Sequence, residues 1–308
     1  MNTLKVGVIG TSKKEDERRF PIHPEHLLRI PEELRRQLIF EEGYGAPFGI
    51  EDSEIAALTG GIASRHELLA DIGRVIISKP VLADLQELRE GGTLWGYVHC
   101  VQQRDITQAA LDRKQTLIAF EDMFAWSPKG QIGRHTFYKN NEMAGYCGVI
   151  HALQLKGIDG HYGNQRKTVI FGFGAVSHGA IYALKAHGFR DITICIQRPD
   201  HEVLDCDYVR IREGCEGEAR MVLVDNNGTT RPLTELISEA DIIINGTFQD
   251  TENPTDFVIQ AKSACLKSNG LIIDVSCDEG MGLFFAKPTT FKSPMFKYKT
   301  IDYYAVDH

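Results

Sequence analysis

The stretch Lys167-Thr-Val-Ile-Phe-Gly172-Phe-Gly174-Ala-Val-Ser177-His-Gly-Ala-Ile-Tyr-Ala-Leu184 decides the fold. A β-branched and aromatic run stops at a glycine pair, and a helical pattern begins at once. That order presents the free N–H groups of a helix N-terminus to a dinucleotide pyrophosphate. In this reading Gly172 makes the tight turn and Gly174 lets the backbone approach the phosphates. Ala175 and Val176 follow as cofactor-contacting residues, and Ser177 holds the third glycine position, small enough for close helix–strand packing. The bland alternative is a tight strand–helix turn with no ligand.

The chain around it has 308 residues, enough for two domains, with 43% hydrophobic and 25% charged residues, as expected of a globular protein. A net charge of −8 argues against nonspecific nucleic-acid or anionic-membrane binding, so an anionic ligand needs local cations. The seven cysteines are scattered without a C-x-x-C pair, which points to reduced thiols in a cytoplasmic protein and to no disulfide frame or metal site. The apolar part of the first ten residues is too short for a signal peptide, and no apolar run is long enough to cross a bilayer.

Strand patterns recur at Lys5–Gly10, Leu38–Glu42, Arg74–Pro80, Thr93–His99 and Thr116–Phe120, with helical patterns at Pro24–Ile30, Asp52–Leu58 and Gln103–Lys114. Gly10 invites a second nucleotide-loop reading, but the polar run Thr11 to Arg19 follows it and carries no glycine fingerprint. Glu142–Leu155 is an apolar-periodic helix with the position of an interdomain connector. Beyond the opening stretch, strands are expected at Asp191–Gln197, Arg220–Val224, Asp241–Asn245 and Gly270–Ser276, with a helix at Leu233–Ala240. Strand–helix alternation predicts an α/β protein of two Rossmann-like domains with mainly parallel sheets and an interdomain cleft. The expected division is a substrate and catalytic domain over 1–139, rejoined by 286–308, and a nucleotide domain over 140–285.

The second strand of the nucleotide domain ends in Gln197-Arg198-Pro199, with no acid before Asp200. An acid there would take the ribose hydroxyls of NAD and repel a 2′-phosphate. Arg198 is therefore the candidate 2′-phosphate ligand, with Gln197 beside it, and the cofactor is read as NADP(H). A solvated loop arginine is the alternative. Asn245 and Gly246, where a later strand turns, complete the cofactor set.

Several separated segments resemble the alanine dehydrogenase, transhydrogenase and saccharopine dehydrogenase superfamily. Glu17-Arg-Arg19-Phe-Pro-Ile-His-Pro24 is similar to its E-x-R-V-A-x-T-P segment, and Ile77-Ser-Lys79-Pro80 to its lysine strand. Tyr97-Val-His99 resembles its Y-L-H strand, Asn141-Glu-Met-Ala-Gly145 its S-E-V-A-G, and Asp274-Val-Ser-Cys-Asp278-Glu-Gly280 its D-x-A-x-D-Q-G. Pro288-Thr-Thr290 also recurs there. Four further stretches, starting at Gly10, Pro21, His99 and Thr136, resemble the N5-(carboxyethyl)ornithine synthases within it. Three segments depart: Phe120-Glu121 stands for Y-E, Ser177 for a glycine, and the V-A-N segment aligns with the last residues, Val306-Asp-His308.

The resemblance implies a homo-oligomeric enzyme that reductively condenses pyruvate with the side-chain amine of ornithine or lysine, using NADPH. It implies Arg19 as the carboxylate-binding arginine and Lys79 as a group that binds or polarises the keto acid. It also implies His99 as general acid/base and Asp278 as a second catalytic acid beside the nicotinamide. Taken alone, Lys79 also reads as a surface lysine, His99 as structural and Asp278 as a turn residue. Glu15, Asp16, Arg134 and His135 are candidates for the amino-acid end of the amine, and Glu121, Asp122 and Trp126 for lining the cleft. Other readings are an alanine or saccharopine dehydrogenase, or a non-catalytic NADP-binding sensor or subunit.

Overall fold

The computed structural model describes residues 4–196, 208–213, 221–224, 228–248, 254–258 and 260–306. The chain forms two compact units, Met1–Phe137 and Tyr138–His308.

The first unit is built on strands β1 (Val6–Ile9), β2 (Leu38–Glu41), β3 (Ile62–Ala63), β4 (Arg74–Ile77), β5 (Thr93–Gly96) and β6 (Thr116–Ala119). They run in the order β3-β2-β1-β4-β5-β6, and every pairing is parallel. Helices α1 (Glu32–Arg35), α2 (Asp52–Leu58), α3 (Arg65–Glu67), α4 (Leu82–Glu87) and α5 (Arg104–Asp112) fill the crossovers, helped by the 3-10 turn Pro24–Arg29. Both sheet faces are buried, which is why the strands read as unbroken apolar runs. Val8 and Phe40 join one core cluster, while their neighbours Ile9 and Ile39 join the other. A hairpin of β7 (Phe124–Trp126) and β8 (Ile132–His135) follows, where the sequence reading marks no strand.

The second unit opens on helix α6 (Tyr138–Lys156) and strand β9 (Thr168–Phe171), followed by α7 (Ala175–Ala186) and β10 (Ile192–Ile196). Then come β11 (Tyr208–Glu213), β12 (Met221–Val224), β13 (Thr230–Pro232), α8 (Leu233–Glu239), β14 (Ile242–Asn245), β15 (Leu271–Asp274), β16 (Met295–Tyr298) and β17 (Ile301–Tyr304). The sheet order is β13-β12-β11-β10-β9-β14-β15-β17-β16. Its middle six strands are parallel, and β12, β13 and β16 add antiparallel edges. Counted by order along the chain, those six repeat the arrangement 3-2-1-4-5-6 of the first unit, the doubly wound Rossmann order. The two-domain α/β expectation holds.

One expectation needs correction. Residues 286–306, expected to rejoin the first unit, lie in the second. β17 pairs with β15, and its adjacent tyrosines bury on opposite faces, Tyr303 in one core cluster and Tyr304 in the other. The aromatic content that suggested a crossing segment is core of the nucleotide-type sheet. Helix α6, which begins at the boundary between the units, packs along α7 at backbone distance. A Cβ on Gly145 would lie 1.9 Å from the Val176 carbonyl oxygen, and one on Gly179 1.8 Å from that of Glu142. Only glycine permits this crossing.

Candidate functional site

In the second unit β9 ends at Phe171, and Gly172 turns the chain with φ 91°, a conformation that favours glycine. Gly174 is the N-cap of α7, and a Cβ there would meet nothing within 4 Å. The missing side chain thus leaves a cradle in front of a twelve-residue helix, whose first-turn amides at Ala175 and Val176 have no intrahelical acceptor. This geometry fits a pyrophosphate. Ser177 is fully buried, consistent with a packing role against the sheet. Gly172 lies beside Gly246, since a Cβ on it would be 3.0 Å from the Gly246 carbonyl. The loops after β9 and β14 therefore adjoin, and between these strands the winding reverses, the place where such sheets bind ligands. Gln197 and Arg198 lie outside the described residues.

Asn245 is 1% exposed, and its side chain is committed internally. Its amide donates to Asp274 Oδ1 (3.1 Å), and its carbonyl accepts from the Thr247 hydroxyl (2.7 Å). It shapes the loop that carries Gly246. Asp274, fully buried, also accepts from the Tyr303 hydroxyl (2.7 Å) and the Cys277 amide (3.2 Å). Burial among these neutral donors pushes its carboxyl up to about 6. The Asp274–Cys277 bond pins a turn in which Cys277 has φ 56° and the next residue is Asp278. Ser276 ties the same turn to the Thr247 carbonyl (2.5 Å). Asp278 is half-buried, and burial raises its pKa as well.

In the first unit the matched residues all follow C-terminal strand ends. Arg19 lies in the loop after β1, Lys79 after β4, His99 after β5 and Glu121 after β6. Lys79 is only 6% exposed, so it is no surface lysine. Its carbonyl accepts from the Ser12 hydroxyl at 2.5 Å. The Arg19 fork is set by Glu17, whose two carboxylate oxygens accept from Nε (2.8 Å) and Nη2 (2.6 Å). The guanidinium lies 5.9 Å from the Tyr97 ring centroid, and the His99 ring stacks on Tyr97 at 6.2 Å and 19°. Tyr97 thus bridges the cation and the imidazole.

Tyr97 and Glu17 are functional candidates that the sequence reading quotes in motifs without assigning a role. The signal was available: Glu17 and Arg19, like Tyr97 and His99, are spaced two apart within their motifs. His99 itself has φ 47°, an uncommon left-handed conformation that costs about 1–3 kcal/mol. Its N–H donates to Glu121 Oε1 at 2.5 Å. His135 is taken up by this loop, its Nε2–H donating to the Phe120 carbonyl at 2.9 Å. Glu15, Asp16, Asp122, Trp126 and Arg134 are exposed. Among the described residues no His, Cys, Asp and Glu group could hold a metal, and no helix is long and apolar enough to cross a membrane.

Residues 8–130 match the alanine dehydrogenase/PNT N-terminal domain family. That match lies within the first unit. Over nearly its whole length the chain is also similar to an N(5)-(carboxyethyl)ornithine synthase from Clostridium botulinum, 26% identical over 95% of this chain and 84% of the relative. An alanine dehydrogenase from Halomonas elongata is 24% identical over 87% of this chain and 72% of its own. Among solved structures, a transhydrogenase from Sinorhizobium meliloti superposes with a TM-score of 0.68 at 14% identity, covering 98% of this chain and 86% of that one. This last likeness concerns the fold. The sequence relatives are oxidoreductases of amino-acid metabolism.

Proposed function

We propose that the protein is an NADPH-dependent opine-type reductase. It condenses pyruvate with the side-chain amine of ornithine, or of lysine, to give N5-(1-carboxyethyl)ornithine or its lysine counterpart. The observation that carries the proposal is the grouping of Arg19, Tyr97 and His99 beyond the C-terminal ends of β1 and β5, in a domain that also buries Lys79 after the intervening β4. This set suits a keto acid: a planar fork for its carboxylate and an ammonium for its keto oxygen. His99 moves the protons as the amine adds to the carbonyl carbon and the hydroxyl leaves as water. Asp278 carries a carboxyl for the cationic imine. The Gly172–Ser177 loop holds the pyrophosphate, and Arg198, with no acid before Asp200, takes the 2′-phosphate. NADPH, when bound, supplies the hydride that reduces the imine carbon. The relatives named for carboxyethylornithine synthesis support this choice of amine.

The domain match and the alanine dehydrogenase relatives favour a second reading, reductive amination of a keto acid with ammonia. One assay separates the two: NADPH oxidation with pyruvate plus ornithine, lysine, ammonia or no amine. Turnover with ornithine or lysine is expected. Turnover with ammonia alone selects the second reading, and none with any amine removes both. Arg198→Ala is expected to weaken NADPH binding far more than NADH binding. Equal weakening would remove the 2′-phosphate assignment.

A further inference from the structure

We propose that Glu121 is a positioning residue for His99: its carboxylate holds the His99 backbone in the left-handed conformation that aims the imidazole. The inference rests on His99 being the proton-transfer group of the proposed reaction.

His99 is one of six described non-glycine residues with positive φ. Such a conformation persists where the surroundings enforce it, and it concentrates at functional sites. The enforcement is visible on both sides of the residue. The His99 N–H is held by Glu121 Oε1 at 2.5 Å, and its carbonyl accepts from the amides of Gln102 (3.1 Å) and Gln103 (2.9 Å). Sheet register explains why Glu121 can reach. Gly96 of β5 pairs with Ala119 of β6, so the two chains leave the sheet side by side.

Glu121 is itself braced. Its loop is the 3-10 turn Phe120–Asp122, whose Phe120 and Glu121 carbonyls both contact His135 Nε2 (2.9 and 3.2 Å). Phe120 packs edge-to-face against Tyr97, the ring that stacks on His99. One short segment therefore steadies both the backbone and the ring neighbour of the imidazole. The second carboxylate oxygen, Oε2, is buried without a hydrogen-bond partner among the described residues. A group whose other oxygen is sealed from solvent acts through the bond it makes, not by touching substrate. Burial and the neighbouring Asp122 raise its pKa, while backbone amides including those of His99 and Val98 partly oppose this.

Glutamine at 121 keeps an acceptor for the His99 N–H at the same reach. Methionine keeps the bulk and removes the acceptor, and alanine removes both. Glu121→Gln is expected within about 3-fold of wild-type kcat. Glu121→Ala and Glu121→Met should lose about 10²-fold in kcat, the scale of a small misplacement of a catalytic group, with the KM for pyruvate little changed. Ring-labelled histidine gives a second readout that needs no turnover. The His99 resonance, assigned by its loss in His99→Asn, should move in the alanine or methionine protein and stay in the glutamine protein.

If Glu121→Gln falls as far as alanine, Glu121 is itself a proton carrier and the positioning role is overturned. An unmoved His99 resonance in both Glu121→Ala and Glu121→Met also overturns it, as does a further kcat loss when Glu121→Met is added to His99→Asn. Should the wild-type protein turn over no amine, the functional reading fails, while the resonance still decides whether Glu121 sets the His99 geometry.

Discussion

The two units share a strand order and a glycine at the end of the first central strand, yet they treat the backbone amides there in opposite ways. After β1, the amides of Gly10 and Thr11 donate to Glu41 Oε2 (2.9 and 3.2 Å), and the Lys13 amide donates to Asp84 (3.2 Å). Arg65 ties these acids together, 2.6 Å from Asp84 and 3.7 Å from Glu41. Glu41 ends β2, where a dinucleotide fold keeps its ribose-binding acid, but here it turns inward and fills the anion site with the chain's own carboxylate. After β9 the corresponding glycine loop faces open space at Gly174, and α7 starts there. Topology alone therefore does not assign the nucleotide. The first unit has supplied its own anion, and among the described residues the second shows none at its loop. Buried acids differ in the same way: Asp84 has a guanidinium partner, whereas the donors to Asp274 are neutral.

Asp84→Ala attacks this comparison most strongly. It strands the Lys13 and Val81 amides and leaves Arg65 with Glu87 and Glu41 only, and should destabilise the first unit by about 2–4 kcal/mol in denaturant unfolding. A loss below about 1 kcal/mol would mean the acid plug does not hold that loop. Gly174→Ala tests the open side. Its φ of −95° accepts alanine and its surroundings have room, so stability should be unchanged. The added methyl occupies the phosphate cradle, and calorimetric titration should show NADPH binding weakened by about 10²-fold. Unchanged binding would move the phosphates elsewhere.

Asp274→Asn probes the uncompensated acid. A folded-state pKa raised from 3.8 to about 6 means the folded protein holds this proton more tightly than the unfolded chain. Its stabilising contribution is complete below about pH 4 and is lost as pH rises to about 6, a difference of about 3 kcal/mol at most. Asparagine, which mimics the protonated acid, should flatten that part of the stability profile without lowering stability at pH 7. A retained slope would assign it to other groups. Glu41→Gln has the smallest expected effect, about 1 kcal/mol for weakened charge-assisted bonds. The protein should still bind one NADPH per chain; a second would show that the first unit is blocked by charge alone.

The strand runs were legible because parallel strands covered on both faces must be apolar throughout, and Val8-Ile9 and Ile242-Ile243-Ile244 show it. The tail was misassigned because Tyr303 and Tyr304 as letters do not say which sheet they fill; pairing with β15 does. Lys79 read as a surface residue on composition, and only the packing around β4 buries it.

By itself the sequence determined the alternation of strands and helices and the glycine loop after β9, because these are local patterns, while Arg19, Lys79, His99 and Asp278 stood out only through the family resemblance. Only the tertiary structure decided that Glu41 closes the first glycine loop, 31 residues from Gly10. It likewise decided that Tyr97 bridges Arg19 and His99, and that Glu121 clamps a left-handed histidine 22 residues away. Such contacts depend on sheet register, which brings distant loops together at the strand ends.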